Sequence, residues 1–437
     1  MKHRRCVALR GLALLCAAFL GRAAGATEAG WEQPAALDAG TLLGRSAIVG
    51  EHFEIEPKAE NDGLMNRFVV SSSYQRIGAY GNSLALERAR EQEAMAVLRG
   101  IKKTEAYTQG LEAAAQAPLA VTRQALTDPV GVMKSIPGAV SNLWSDVSGA
   151  IGGLRQGSEQ DKSSGQMLKE LLGYQRVKAR LALELGVDVY SSNAVLQTDL
   201  DDVAWSIFAG GASIDLAMTQ APVAASLSVR AANAIDGARA PLWDIPPATL
   251  LQASSEALQT MGLASDEADA IAWSSACTLS HKSVLVSLLA ELPDVGGRDE
   301  FARLAASASD EADCRRYVET AQLVWTYHRQ QRPVESVRVA ADVVSMQDAD
   351  GRFVLPLRAD SVFWTPKVQP FVDAFPASGK RVLWLSGVLS ERSRAEFARR
   401  KITVHERVLE RHPVEVDVAA VLVPARAETP DPEANPD

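Results

Sequence analysis

The chain is poor in the residue patterns that announce chemistry. Four cysteines and six histidines are spread over 437 residues. No Cys-x-x-Cys and no His-Glu-x-x-His occurs, so the short signatures of thiol redox centres and zinc hydrolases are missing. A Gly-x-Ser-x-Gly elbow and a phosphate-binding loop are missing too. Gly81-Asn82-Ser83-Leu84-Ala85 departs from the elbow at its final position, and Asn82-Ser83 reads more simply as a helix cap. After the first 26 residues, no uncharged run reaches the ~18 residues that a membrane-crossing helix needs. No transmembrane helix is expected in the mature chain, and no cofactor and no metal are implied.

What is present begins with the N-terminus. Lys2, Arg4, Arg5 and Arg10 precede an uncharged stretch from Gly11 to Gly21, and Ala24-Gly25-Ala26 offers small residues for cleavage before Thr27. This order predicts a signal peptide over 1–26 and an exported protein, periplasmic or secreted. An uncleaved anchor fits less well, because eleven residues at about 1.5 Å each fall far short of a ~30 Å bilayer core. Leu15 stands before Cys16 where a lipoprotein signal needs a small residue, and Arg4-Arg5 lacks the rest of a twin-arginine signal.

Cleavage removes five basic residues (the fifth is Arg22) and no acids, moving the formal charge from −9 to −9 − 5 = −14. Dispersed acidity repels a phosphate backbone and argues against nucleic acid as partner. Two cysteines remain, Cys277 and Cys314. In an oxidising compartment they can form a disulfide; otherwise they pack as two buried thiols.

Periodicity predicts an α+β fold, predominantly α-helical, in successive units. Residues 27–117 read as a small α+β unit: a β-meander turning at Asn61-Asp62-Gly63, then a helix from Leu84 to Lys103 with Glu and Arg on its outer face. Residues 118–165 read as a Gly/Pro-punctuated amphipathic arm and linker, with only five charges between 118 and 156. Ile136, Val140, Leu143, Trp144 and Val147 form one apolar stripe there. It can contact a partner or a membrane surface, or pack on its own domain, and it lacks the basic polar face usual for membrane-surface helices.

Residues 166–332 read as a helical bundle, with Leu196, Leu200, Val203 and Ile207 at helical spacing and Gly210-Gly211 permitting close approach of another helix. Ser-Asp-Glu-Ala-Asp occurs at 265–269 and again at 309–313, each reading as a serine-capped helix start and lacking the closing Glu of a calcium loop. Residues 333–423 read as an α/β unit: a hairpin around Asp348-Ala349-Asp350-Gly351, then strand 381–385, helix 390–400 and strand 402–405 in a βαβ-like order. Ser386-Gly387 reads as a plain turn, with an anion-facing turn as the alternative. Residues 424–437 read as a disordered acidic, Pro-rich tail.

Five histidines follow the leader, at 52, 281, 328, 405 and 412, with no pair at metal-ligand spacing on one helix. Ser280-His281-Lys282 lies in an apolar helix one turn after Cys277. His281 is the one candidate general base, set against the plain reading of a partly buried histidine.

The runs Asn61–Phe68, Asp128-Pro129-Val130-Gly131 with Ile136-Pro137-Gly138, Leu185–Asn193 and Trp205–Gly211 resemble segments of an uncharacterised exported bacterial family. The resemblance covers most of the mature chain and implies no reaction. The sequence therefore favours an envelope protein acting by interaction through the 118–156 arm. Two alternatives stand: an envelope hydrolase with dispersed carboxylates and His281, and a soluble ligand-binding protein. Glu, Asp and His281 converging in one concavity favours the enzyme; a filled core around His281 favours interaction.

Overall fold

Strands 66–71 and 381–385 show how burial selects structure at the two ends of the molecule. The computed structural model describes residues 30–116, 159–211, 213–215, 245–414 and 416–423. The predicted signal peptide, the acidic tail and the stripe Ile136, Val140, Leu143, Trp144 and Val147 lie outside the described residues.

The N-terminal sheet contains β1 (Leu37–Asp38), β2 (Glu54–Ile55), β3 (Lys58–Asn61), β4 (Asn66–Ser71) and β5 (Arg76–Tyr80), all antiparallel. In β4, Phe68 and Val70 point inward and Arg67 outward, the alternation of a half-buried strand. Strand β5 pairs along the length of β4, and β3 and β2 pair with its two ends. A short helix, α1 (Ala39–Leu43), precedes β2, and α2 (Asn82–Ile101) packs on the sheet through Leu84, Ala85 and Ala89.

Helix α2 does not have the charged outer face that its sequence suggests. Glu87, Arg88, Glu91 and Glu93 are all buried. The helix is covered on its far side as well, and its charges are matched there. Arg88 donates to Glu91 (2.8 and 2.9 Å), to Ser192 (2.6 Å) and to Glu311 (2.8 Å), and Arg315 donates to Glu87 (2.9 Å) and Glu311 (3.0 Å).

The helical region comprises α3 (Glu105–Gln116), α4 (Glu159–Glu184), α5 (Ala194–Gly210), α6 (Pro247–Thr260), α7 (Ser265–Ala272), α8 (Leu279–Ala290), α9 (Arg298–Ala306) and α10 (Glu311–Gln330). Leu196, Leu200, Val203 and Ile207 of α5 are buried in its core. Gly210 allows α3 and α5 to touch: a Cβ there would lie 2.4 Å from Gly110 Cα. The repeated Ser-Asp-Glu-Ala-Asp runs are not capped by their serines. Ser265 is already inside α7, whose N-cap Ala264 makes no side-chain cap, and α10 is capped by Asp310, which accepts from the Asp313 N–H at 2.9 Å. Ser309 instead donates its hydroxyl to Asp313 at 2.9 Å, so the carboxylate one residue later wins the cap position. Cys277, just before α8, is bonded to Cys314 in the first turn of α10, with Cα atoms 5.5 Å apart.

The C-terminal sheet runs β12-β10-β8-β7-β6, from β6 (Val334–Ala340), β7 (Val343–Asp348), β8 (Phe353–Leu357), β10 (Arg381–Leu385) and β12 (Thr403–His405). Short β9 (Ser361–Val362) and β11 (Val388–Leu389) pair with each other. Between β6 and β7, Ala341 and Asp342 both take positive φ (47° and 63°) and turn the chain back on itself. At the next turn, Asp348 accepts from the N–H groups of Asp350 (3.0 Å) and Arg352 (2.9 Å) and from the Tyr327 hydroxyl (2.8 Å), which accounts for its Asp-x-Asp-Gly sequence as turn chemistry.

Strands β8, β10 and β12 are parallel, with α12 (Glu391–Arg399) crossing between β10 and β12; a small α11 (Gln369–Asp373) lies earlier in the chain. Both sheet faces are covered, so β10 is apolar at every buried position. Val382 and Trp384 face the helical core, where Trp384 meets Tyr327 edge-on at 5.2 Å, and Leu383 and Leu385 face Phe397 of α12. The fold is α+β and mostly helical.

The two sheets are joined by backbone. The Leu64 carbonyl accepts from the N–H groups of Asp360 (3.0 Å) and Ser361 (3.1 Å), and Gly63 O accepts from Phe363 N (2.9 Å). Asp62 accepts from Tyr80 (2.6 Å) and Lys367 (2.7 Å) beside this seam. The turn at 61–63 thus fixes the exit of β8 against the start of α2.

Candidate functional site

Parallel strands deliver their carboxyl ends to one edge of the sheet, and the chain must leave there in loops. Strand β8 leaves through Arg358-Ala359-Asp360-Ser361, β10 through Ser386-Gly387-Val388 and β12 through Glu406-Arg407. These exits wall one side of a cavity of about 670 Å³. The other side is made by Asn82, Ser83 and Leu86 at the start of α2, by Val318, Glu319 and Gln322 of α10, and by His281 of α8. Close packing holds the exits in place: a Cβ on Gly387 would lie 2.2 Å from the carbonyl oxygens of both Ala359 and Asp360.

Two carboxylates organise the polar wall. Glu319 accepts from the Ser83 hydroxyl (3.2 Å) and from Arg358 Nε (3.1 Å). Asp360 accepts from the backbone N–H of Asn66 (3.0 Å) and of Asn82 (3.2 Å). Enclosure by protein pushes the Asp360 carboxyl up to about 6; Arg358 and the two backbone donors pull the other way, and the negative Glu319 adds to the rise.

Asp360 also corrects the local reading of Asn82-Ser83. Helix α2 starts after Gly81, which makes no side-chain cap, and both Asn82 and Ser83 are inside the helix. The orphan N–H of Asn82 is satisfied by Asp360, leaving Ser83 aimed at Glu319. Gly81 has φ 109°, and a Cβ there would lie 2.9 Å from Arg358 Nη2, so this start is reserved for glycine.

His281 lies on the cavity wall but is almost wholly buried, 2% exposed, with Nδ1 2.6 Å from Oγ1 of Thr278, the N-cap of α8. Cys277 and Cys314 are bonded near the same helix starts and offer no thiol. At the β10 exit, the Ser386 N–H is taken by Leu357 O (3.2 Å) and the Val388 N–H by Asp360 O (3.1 Å), bonds to the β8 exit that leave neither N–H for an anion. Among the described residues, no cluster of three His, Cys, Asp or Glu side chains is arranged to hold a metal, and no helix is long and apolar enough to cross a membrane.

Sequence reasoning missed Glu319, Asp360 and Arg407. None stands in a motif, and the signal that finds them is topological: each lies at, or directly faces, the carboxyl end of a parallel strand. Comparison of the chain with protein-family models, with curated proteins and with solved structures finds no match.

Proposed function

We propose that this is an exported protein of the cell envelope that binds a small polar ligand in the cleft at the carboxyl ends of β8, β10 and β12. The observation that carries this reading is the position of the cleft, because ligands of α/β sheets settle where parallel strands end and their loops diverge. Its lining supports the same reading: Leu42, Leu86 and Val318 supply apolar contact, and Ser83, Glu319 and Ser386 supply a few convergent polar groups. The N-terminal leader pattern and a bonded cysteine pair support export.

A hydrolytic role is the second reading, favoured by two carboxylates, Glu319 and Asp360, facing one cavity, with the Asp360 carboxyl raised by enclosure. The contact role of the 118–156 arm is a separate proposal about where the protein sits.

The test is a small-molecule screen by thermal shift on wild type and on Leu86→Trp, which fills the cleft from α2. The reading expects compounds that stabilise wild type and leave Leu86→Trp unmoved, with both proteins equally folded in their absence. Compounds that stabilise both proteins alike would contradict it. For hydrolysis, Glu319→Gln should keep binding and lose turnover of any substrate found.

A further inference from the structure

The cleft continues into a second groove of about 630 Å³ along the same edge, and Val388 and Arg407 line both. Its remaining walls include Arg394, His405, Glu406 and Arg411. Three arginines line this groove in a chain of net charge −9. They are not equivalent. Arg394 is held by Glu406 through contacts of 2.8 and 3.1 Å, which neutralises it and fixes one wall. Among the described residues, Arg407 forms an ion pair with Glu410 alone, at 4.0 Å with both side chains exposed, a pairing too weak to hold it. Among the described residues, no carboxylate forms an ion pair with Arg411.

The backbone singles out Arg407. It is one of four non-glycine residues with positive φ among the described residues, at 53°, and its N–H is tied to Gly387 O at 2.9 Å. Such a conformation costs about 1 kcal/mol and persists where surrounding structure demands it. Here the tie to the β10 exit holds Arg407 on the border between the two cavities. His405, at the end of β12, is pushed down from the usual imidazole range by burial and then by the Arg411 charge. The groove thus presents positive charge with a neutral imidazole beside it.

We propose that the ligand of the cleft carries an oxyanion, a carboxylate or a phosphate, seated between Arg407 and Arg411, with the rest of the molecule running past Val388 into the larger cavity. This rests on the reading of the larger cavity as the ligand site. Guanidinium forks match oxyanion geometry and shed water more readily than ammonium groups do, which suits two arginines without firm partners of their own. Continuity of the groove with a cavity of small-molecule size makes the ligand a small molecule and not an acidic protein.

The test titrates the full chain with inorganic phosphate and, separately, with acetate at low ionic strength, following the His405 ring resonance and the heat of binding. Saturable binding of either anion is expected, with the preferred anion identifying the ligand's head group. Arg411→Gln and Arg407→Asn, the latter chosen because Asn tolerates positive φ, should each weaken it about tenfold. Arg76→Gln, a surface arginine that lines neither cavity, should bind the anion within about twofold of wild type. The proposal is overturned if neither anion saturates, or if the arginine variants bind as wild type does. Uncharged compounds that still stabilise wild type and not Leu86→Trp would, in that event, leave the cleft reading standing.

Discussion

Asp360 caps the first turn of a helix that begins 278 residues earlier in the chain: its carboxylate accepts the N–H of Asn82 at 3.2 Å, and the N–H of Asn66 at 3.0 Å. One side chain thereby locks the N-terminal sheet, helix α2 and the exit of β8 into the geometry of the cleft.

Asp360→Ala should destabilise the protein by about 2–3 kcal/mol, because it removes a cap and strands two enclosed N–H groups, whereas Asp360→Asn, keeping one acceptor, should cost about half as much. Urea unfolding measures both. The sign of the pH effect follows from the raised carboxyl. The folded state binds the proton more tightly than the unfolded chain, so this contribution is fully present below the ordinary Asp value of 3.8 and is lost as pH rises through about 6. The stability gap between wild type and Asp360→Asn should change across that window by roughly 2 kcal/mol at most, since water in the cleft reaches the group. A gap that is flat from pH 4 to pH 7 counts against the enclosed carboxyl.

The Cys277–Cys314 bond spans 37 residues and joins the starts of α8 and α10, both of which wall the cleft. Reduction, or Cys277→Ser with Cys314→Ser, should lower stability by about 2–4 kcal/mol. Thermal unfolding with and without reductant reads this directly, and an unchanged midpoint would rule out a stabilising bond.

Arg315 is buried between Glu87 and Glu311. Arg315→Met should cost about 3–5 kcal/mol by leaving two acids without their shared cation, and adding Glu87→Gln should recover part of that loss. Additive losses in the double variant would show that the two residues are not coupled.

Deletion of 118–156 tests the arm apart from the cleft. Wild type expressed with its own leader should pellet with membranes and be released by alkaline carbonate, while a folded deletion stays soluble. If both are soluble, the arm is not a surface contact.

Much of the fold is legible in local pattern. Strand 381–385 shows itself because both sheet faces are covered and every inner position is apolar, and α5 shows itself through Leu196, Leu200, Val203 and Ile207. The failures are local competitions that tertiary structure decides. The turn at Ala341-Asp342 carries no Asn-Gly signal, and the charges of α2 look like a solvent face until Arg315 and Glu311 arrive to match them. The cleft is illegible for a different reason. Ser83, Glu319, Asp360 and Arg407 meet only because the parallel crossovers bring the strand ends together and the seam at 61–64 docks α2 against them.

The proposed ligand site at the carboxyl edge of β8, β10 and β12 can be mapped in solution. Hydrogen–deuterium exchange of wild type, with and without the strongest ligand from the screen, tests it most directly. Protection is expected to concentrate at 82–86, 358–361, 386–388 and 405–411, with the remaining helices unchanged. Protection confined to other segments, with these four unaffected, would contradict it.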